Sequence, residues 1–534
     1  MAATVHFLMI LSAAFATALA SRMSVHYFQL ESYQFPGYFR TVKRNPVRIL
    51  LPGVILAAVT GILFGIAEGM GGRVGPFTWL LITLVACGLV VLCGWILRKT
   101  MTVRKAKKPL GVTGRVKRLW GIMVVVNALV GWLFSRIGAV FILLMPLLLP
   151  GLVALAGLVA WPVEKGISEL YFRDARQRLR DRPDLIKIGI TGSYGKTSVK
   201  FILATMLAEK YQVLATPGSF NTPMGVTRIV RSRLRPGHQI FLAEMGARHV
   251  GDIKELCRLV EPQMGIITSV GPQHLDPFKT LDRISGTKYE LIEALPQDGT
   301  AFFPNDGSLC SGMYDRTEKE KYLSSLKADE RADVWAEQVR VTASGSSFRL
   351  CTRLGSVDCT TCLLGEHNIS NILLCAAVCL KLGLSLKQIA RGIAAVQPVE
   401  HRLQLLPGTV YTVIDDAFNS NPAGADRALE VLRAFEGGKR IIITPGMVEL
   451  GDKEAEFNRE FGRHMARCAD IAILVGPKHT APIAEGLAEN GFPAESIHTA
   501  ASLREANEIL ARLAGQGDVV LYENDLPDNY SENG

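Results

Sequence analysis

Charge is scarce in this chain: 20% of the 534 residues are charged against 49% hydrophobic, and the mean hydropathy is positive. That balance excludes a wholly soluble protein and places part of the chain in lipid. A disulfide framework is also missing. The ten cysteines are scattered, with Cys87 and Cys93 in apolar runs and Cys375 and Cys379 on a predicted helix, which suits a reducing cytoplasm. Cys359 and Cys362 form one C-x-x-C, with Cys351 and Cys310 upstream, but lack the second pair that a structural zinc site wants. Leu363 and Leu364 after them favour a buried strand. No soluble face gathers the basic residues behind the net charge of +10, so no nucleic-acid partner is expected.

Those basic residues fall instead in loops between apolar runs. Five runs, roughly 5–20, 49–67, 77–97, 119–134 and 138–161, read as membrane spans. The first connection carries Arg22, Arg40, Lys43, Arg44 and Arg48. The third carries Arg98, Lys99, Arg104, Lys105, Lys107, Lys108, Arg115, Lys117 and Arg118. The second has only Arg73 and the fourth only Arg136. This alternation predicts an outside N-terminus and a cytoplasmic region beyond residue 161. A cleaved signal peptide ending at Ala18-Leu19-Ala20 is the alternative, but the first run has no basic segment before it.

Residues 162–184 are charged and predict a helical linker. Beyond them apolar runs alternate with helical patterns, which predicts a parallel sheet with helices on both faces. The first such run ends in Thr191-Gly192-Ser193-Tyr194-Gly195-Lys196-Thr197-Ser198, and a helical pattern follows at once through Phe201, Ile202, Met206 and Leu207. Gly192 and Gly195 let backbone N–H groups converge on phosphate oxygens at a helix N-terminus. Lys196 would neutralise phosphate charge and Thr197 would ligate Mg²⁺. The spacing is compact, with Ile190 where the usual loop has its first glycine; an ordinary glycine turn is the competing reading. ATP is cytoplasmic, so a nucleotide site here favours the uncleaved first span.

Thr216 to Val226 is a Gly/Pro/Asn-rich loop. Glu244 then ends an apolar strand, where a Mg²⁺ ligand belongs in a parallel α/β sheet. A further strand over 264–270 leads to His274 in a loop on the same side, although a lone histidine is more often structural. Lys288, with Glu290, lies on a predicted helix, where a solvated lysine is the default.

Taken together these residues resemble the Mur ligase family, ATP-dependent amide ligases of peptidoglycan synthesis. Thr191 to Thr197 is similar to that family's compact phosphate loop, with Tyr194 where asparagine is common. Glu244 and His274 match its metal positions, and Lys288 falls where several members carry a carbamylated lysine that bridges two Mg²⁺ ions. Asn221 and Gly225 match its loop over the reacting phosphate. Leu364-Gly365-Glu366-His367-Asn368-Ile369-Ser370-Asn371 resembles a G-x-H-N-x-x-N stretch lining the nucleotide site. Arg402 occupies the arginine position that starts the C-terminal domain, and Asp416, Asn419 and Asn421 lie in a stretch like I-D-D-x-Y-N-A-N-P. That stretch, with Pro445 to Gly451, points to the MurF-type branch, which adds D-alanyl-D-alanine. Three departures stand out. Phe418 replaces a tyrosine, Gly446 an aspartate, and the basic K-G-S-R motif has no match: Leu521 to Tyr530 is acidic instead.

The resemblance implies a ligase that uses ATP and Mg²⁺, which the apolar runs would anchor in the membrane, with the nucleotide held by Gly192, Ser193, Gly195, Lys196, Thr197, Ser198, Asn368, Arg402, Asp416, Asn419 and Asn421. Metal ligands would be Thr197, Glu244, His274 and Lys288 if carbamylated, and Lys196, His274 and Lys288 would act in catalysis. The fold expected is a multi-span helical membrane region (1–161) followed by an α/β P-loop ATPase domain (185–398). A smaller Rossmann-like domain (399–534) would complete it. Membrane helices stand where the family's UDP-sugar-binding domain would be. The acceptor would then be a lipid-linked or UDP-linked muropeptide, and the location a bacterial plasma membrane with cytoplasmic catalytic domains. Rivals are a ligase for another acid, such as the poly-γ-glutamate type, and a non-catalytic nucleotide-binding scaffold. An ATP-driven transporter lacks a second ATPase motif set.

Overall fold

The computed structural model describes residues 1–102, 109–272, 278–418, 420–448 and 450–525, in two compact units that meet in the chain near residue 170. The first unit is all helix: α1 (Ala2–Ala20), α2 (Arg22–Leu30), α3 (Phe35–Arg44), α4 (Pro46–Met70), α5 (Pro76–Thr100), α6 (Gly114–Ile137), a 3₁₀ segment (Ala139–Leu148) and the part of α7 (Leu149–Arg180) before Leu170, where the second unit begins. Among the described residues, α1, α4, α5, α6 and the segment Ile142–Arg180 are long and apolar enough to cross a membrane. Some of their polar side chains bond their own helix, as Ser12 on Met9 O (3.0 Å) and Thr17 on Ala13 O (2.8 Å) do, and Asn127 Nδ2 donates across to Ala14 O of α1 (3.2 Å). Gly94 of α5 lies so close to α1 that a Cβ there would sit 2.8 Å from Ala16 Cα, the small-residue contact that lets apolar helices pack tightly.

The second unit holds two sheets. The larger comprises β1 (Ile186–Thr191), β2 (Val213–Ala215), β3 (Ile240–Glu244), β4 (Met264–Ile267), β5 (Thr300–Pro304), β6 (Glu320–Ser325), β7 (Val334–Thr342), β8 (Gly345–Thr352) and β9 (Gly355–Thr361), in the order β2-β3-β1-β4-β5-β6-β7-β8-β9. Strands β1 to β7 pair in parallel, whereas β7, β8 and β9 are antiparallel, so the expectation of a wholly parallel sheet fails at that edge. Two tight turns, Ala343–Ser344 and Arg353–Leu354, replace crossover helices there. Cys359 lies buried on β9, while Cys362 is exposed just beyond it.

The strand order reverses around β1. Its neighbours β3 and β4 align with it so that Ile190 faces Glu244 and Thr191 faces Ile267. Three carboxyl ends therefore open at one place, the position where α/β sheets bind ligands. Helix α8 (Lys196–Leu207) starts four residues after β1. It buries Val199, Ile202, Leu203, Met206 and Leu207 against β1, β3 and the helix Glu366–Lys381.

The smaller sheet comprises β10 (Gln404–Leu406), β11 (Thr412–Asp416), β12 (Arg440–Thr444), β13 (Ile471–Val475), β14 (Ile497–Ala500) and β15 (Val519–Glu523). Its order is β10-β11-β15-β12-β13-β14, and all pairs but β10–β11 are parallel. Asp416 and Glu523 are register partners at the carboxyl ends of β11 and β15.

Candidate functional site

The loop between β1 and α8 is shaped by its glycines. Gly192 has φ +152° and Gly195 φ +78°. A Cβ on Gly192 would fall 2.1 Å from Thr268 Oγ1, and one on Gly195 3.1 Å from Asn371 Oδ1, so no other residue fits without displacing neighbours. The end of β4 holds the loop from the other side. Ser193 Oγ donates to Gly271 O (2.9 Å), Ser269 Oγ donates to Tyr194 O (3.1 Å), and Thr268 Oγ1 also donates to Tyr194 O. Lys196 folds back onto the loop and donates to Gly192 O (2.7 Å) and Ser193 O (2.9 Å). Desolvation pushes its ammonium down to about 8, with Glu244 opposing and Arg402 reinforcing the shift.

Glu244 is the hub. It is 1% exposed, and its carboxylate accepts from Thr197 Oγ1 (3.1 and 3.0 Å to its two oxygens), Asn221 Nδ2 (3.0 Å) and Lys200 Nζ (2.9 Å). Arg402 Nη2 reaches Thr197 Oγ1 at 3.5 Å, and burial lowers the pKa of its guanidinium, which also lies over the Phe418 ring. Thus Lys196, Lys200 and Arg402 all act on one carboxylate at the mouth of a glycine cradle. Such an excess of positive charge suits a polyphosphate, and the oxygens of Thr197 and Glu244 suit a hard divalent cation.

Lys288, on the helix Leu281–Glu293, is 2% exposed, not solvated. Desolvation first, and then repulsion from Lys196, pushes its ammonium down to about 7, against the pull of Asp252 and Glu290. Those carboxylates are occupied elsewhere: Glu290 accepts from Gly251 N (2.8 Å) and Lys254 N (2.9 Å), and Asp252 from Arg248 N and His249 N (both 2.8 Å). The stretch expected as a loop to Val226 ends earlier. Thr222 caps the helix Pro223–Arg233 by accepting from Gly225 N (3.2 Å), so Gly225 is helical.

Other expected residues are placed less simply. Asn368 is buried and donates to Leu364 O (2.8 Å), while Asn371 of the same helix approaches Gly195. Ser198 is half-buried on α8. Asp416 accepts from Leu403 N (3.1 Å), and burial pushes it up to about 6 despite Arg402. Asn421 caps the helix Pro422–Arg433, accepting from Gly424 N (2.9 Å). His274 and Asn419 lie outside the described residues, as do Glu449 and residues 526–534.

Sequence reasoning missed Lys200 and Glu523. Lys196 and Lys200 are four apart, hence on one face of α8, which is the signal that could have found the former. Glu523 is fully buried. It accepts from Thr444 Oγ1 (2.7 Å) and from Ser420 Oγ, and burial pushes its carboxyl up to about 7.

With this geometry in view, residues 190–379 match the family model described as Mur ligase middle domain, and residues 401–522 the one described as Mur ligase, glutamate ligase domain. Over 357 residues the chain is 33% identical to the UDP-N-acetylmuramoyl-tripeptide--D-alanyl-D-alanine ligase of Mycobacterium bovis, covering 62% of this chain and 69% of that one. It is similar to the crystal structure of MurF from Acinetobacter baumannii, with TM-score 0.61 and 26% identity over 67% of this chain and 77% of that one. A MurF ligase from Thermotoga maritima in complex with ADP gives TM-score 0.60 over 68% and 82% of the two chains; at 23% identity that likeness is one of fold.

Proposed function

The chain belongs to the Mur ligase family, and from that premise we propose that it is a membrane-anchored, MurF-like ligase working on a peptidoglycan precursor at the cytoplasmic face. Its reaction class is ATP-dependent, ADP-forming joining of an acid to an amino acid or dipeptide. In this reading residues 1–161 are the membrane region and 162–184 a linker. Residues 185–398 bind ATP, and 399–534 form the domain that closes over it. The observation that carries the reading is Glu244, held at the end of β3 by Thr197, Asn221 and Lys200 beside the glycine loop.

The chemistry follows from what an amide needs. A carboxylate is a poor electrophile because oxide is a poor leaving group, so the acceptor carboxylate takes the γ-phosphate of ATP and becomes an acyl phosphate. The incoming amine attacks its carbonyl carbon and phosphate departs. Lys196, leaving the carbonyls of Gly192 and Ser193, would follow the γ-phosphate as charge moves onto it, and Arg402 would reach the same phosphates from the second sheet's side. Mg²⁺, held by Thr197 and Glu244, would neutralise phosphate charge. Lys288 is buried and near its midpoint at neutral pH, so its neutral amine can add CO₂ and present a carbamate in place of an ammonium.

The acceptor is the open half of the proposal. Five apolar helices occupy the region before the ATP-binding part, which supports a muropeptide held at the bilayer as a lipid-linked species over one carried on UDP. The test is mass spectrometry of products from detergent-purified protein given Mg-ATP, D-Ala-D-Ala, and lipid-linked or UDP-linked muramoyl tripeptide. A dipeptide adduct on the lipid-linked form alone is expected. An adduct on the UDP form alone would reduce the helices to an anchor. No adduct on either, with ATP still bound, would turn the reading toward another acid or a scaffold.

A further inference from the structure

Glu244 carries more positive company than metal binding requires. Lys200 Nζ and the Glu244 carboxylate lie 2.9 Å apart at 0% and 1% side-chain exposure, a buried ion pair out of contact with solvent. Lys200 also donates to Gly218 O, which ties the 216–222 segment to the same pair. Thr197 bridges both carboxylate oxygens and Asn221 fills Oε1, leaving Lys200 on Oε2. The charges of Lys196 and Arg402 act on this carboxylate as well.

We propose that Lys200 is a resident counter-cation for Glu244, closing this carboxylate to a free divalent ion so that metal enters only together with nucleotide. This rests on Glu244 being a metal ligand, as in the function proposed above. The electrostatics run one way. A bare divalent ion approaching Glu244 meets one anion already paired with an ammonium and two further cations, so Coulomb repulsion outweighs what one shared carboxylate offers. Nucleotide phosphates bring several negative charges at once. They draw Lys196 off its loop carbonyls, offset Arg402, and leave the ion with net attraction. Lys200 stays on Oε2, while the donors on Oε1 are the uncharged Asn221 amide and Thr197 hydroxyl, which a metal displaces at less electrostatic cost. Glu244 then serves through one oxygen, aimed by its lysine.

The experiment uses full-length protein in detergent and Mn²⁺ as the probe, followed by the electron paramagnetic resonance signal of free Mn²⁺, with and without ADP. Wild type is expected to take up Mn²⁺ only with ADP. Lys200→Gln, which keeps a donor and removes the charge, is expected to take up Mn²⁺ without ADP, at concentrations about tenfold below any at which wild type would. Lys200→Arg should behave as wild type. A nucleotide-independent Mn²⁺ site in wild type that Glu244→Gln removes would overturn the proposal, and that measurement needs no lysine variant to fold. So would Lys200→Gln binding Mn²⁺ no more tightly than wild type. The two levels separate cleanly: Glu244→Gln leaving Mn²⁺ uptake with ADP unchanged would remove Glu244 as a ligand, and with it the reading above. Loss of that uptake in Glu244→Gln without a gain in Lys200→Gln removes only the role of Lys200.

Discussion

Two buried carboxylates sit at the carboxyl ends of parallel strands in this protein, and their surroundings are opposite. Glu244, ending β3, is faced by Lys200 at 2.9 Å and by the charges of Lys196 and Arg402. Glu523, ending β15, is met by the hydroxyls of Ser420 and Thr444 and has Asp416 as its strand neighbour. The first arrangement sets a carboxylate inside a pool of positive charge, the setting that suits phosphate and metal. The second lets burial and a like-charged neighbour push the carboxyl up to about 7, so that it ties together three strand ends as a hydrogen-bonding group. Position at a strand end alone therefore does not mark a candidate ligand; in the proposed reading the charge across from it decides.

The sharpest way to break this contrast is to empty the positive side. Lys196→Ala is expected to lower kcat/KM for Mg-ATP by roughly 10³-fold, because the transferred phosphoryl loses its mobile cation; steady-state kinetics with ADP detection measures it. A loss of less than about tenfold would mean that the positive cluster is structural.

Lys288→Ala comes next, with an expected loss of about 10²-fold in kcat. The pH dependence adds a sign. With the folded pKa near 7, the neutral amine that adds CO₂ grows as pH rises through 7. Bicarbonate should therefore stimulate wild type more at pH 8 than at pH 6 and leave the alanine variant unmoved. Because the folded pKa lies below the ordinary lysine value, this group's contribution to stability rises with pH between about 7 and 10.5.

Much of this region was legible in the sequence. The glycine loop and Glu244 announce themselves because a phosphate-binding pattern is a contiguous motif and strand ends are visible as the last residue of an apolar run, whereas Arg402 came only through the family resemblance. Lys200 and Lys288 were not legible as buried groups. A lysine on a helix is usually solvated, and what buries Lys200 is a carboxylate 44 residues away on β3, a pairing that only the parallel register creates. The antiparallel edge β7-β8-β9 was hidden for a similar reason: alternating apolar residues mark a strand without giving its direction. Glu523 read as part of an acidic tail because Thr444 and Ser420 reach it from distant points in the chain.

Glu523→Gln sharpens the comparison from the neutral side with a smaller effect. The folded pKa near 7 stands above the ordinary carboxylate value of 4.5. Its contribution to stability is thus fully present below about pH 4.5 and lost as pH rises through 7. Wild type is expected to lose about 2–3 kcal/mol from this group between pH 4.5 and 8. The glutamine variant should lack that slope in melting temperature, measured by scanning fluorimetry in detergent.

The smallest effect belongs to a hydroxyl without the company that Ser420 and Thr444 have. Tyr194 Oη is buried with no hydrogen-bond partner among the described residues. Tyr194→Phe should change stability by no more than about 0.5 kcal/mol, or raise it slightly, by removing an unsatisfied polar atom. A large loss of melting temperature would reveal a partner for that hydroxyl.

The most direct test of the central claim, that the cation-rich strand end activates a carboxylate through phosphoryl transfer, is to follow the acceptor's own oxygen. With the acceptor carboxylate labelled with ¹⁸O, the phosphate released during ligation should carry one labelled oxygen, because the acyl phosphate leaves with it. Unlabelled phosphate accompanying amide formation would contradict the account.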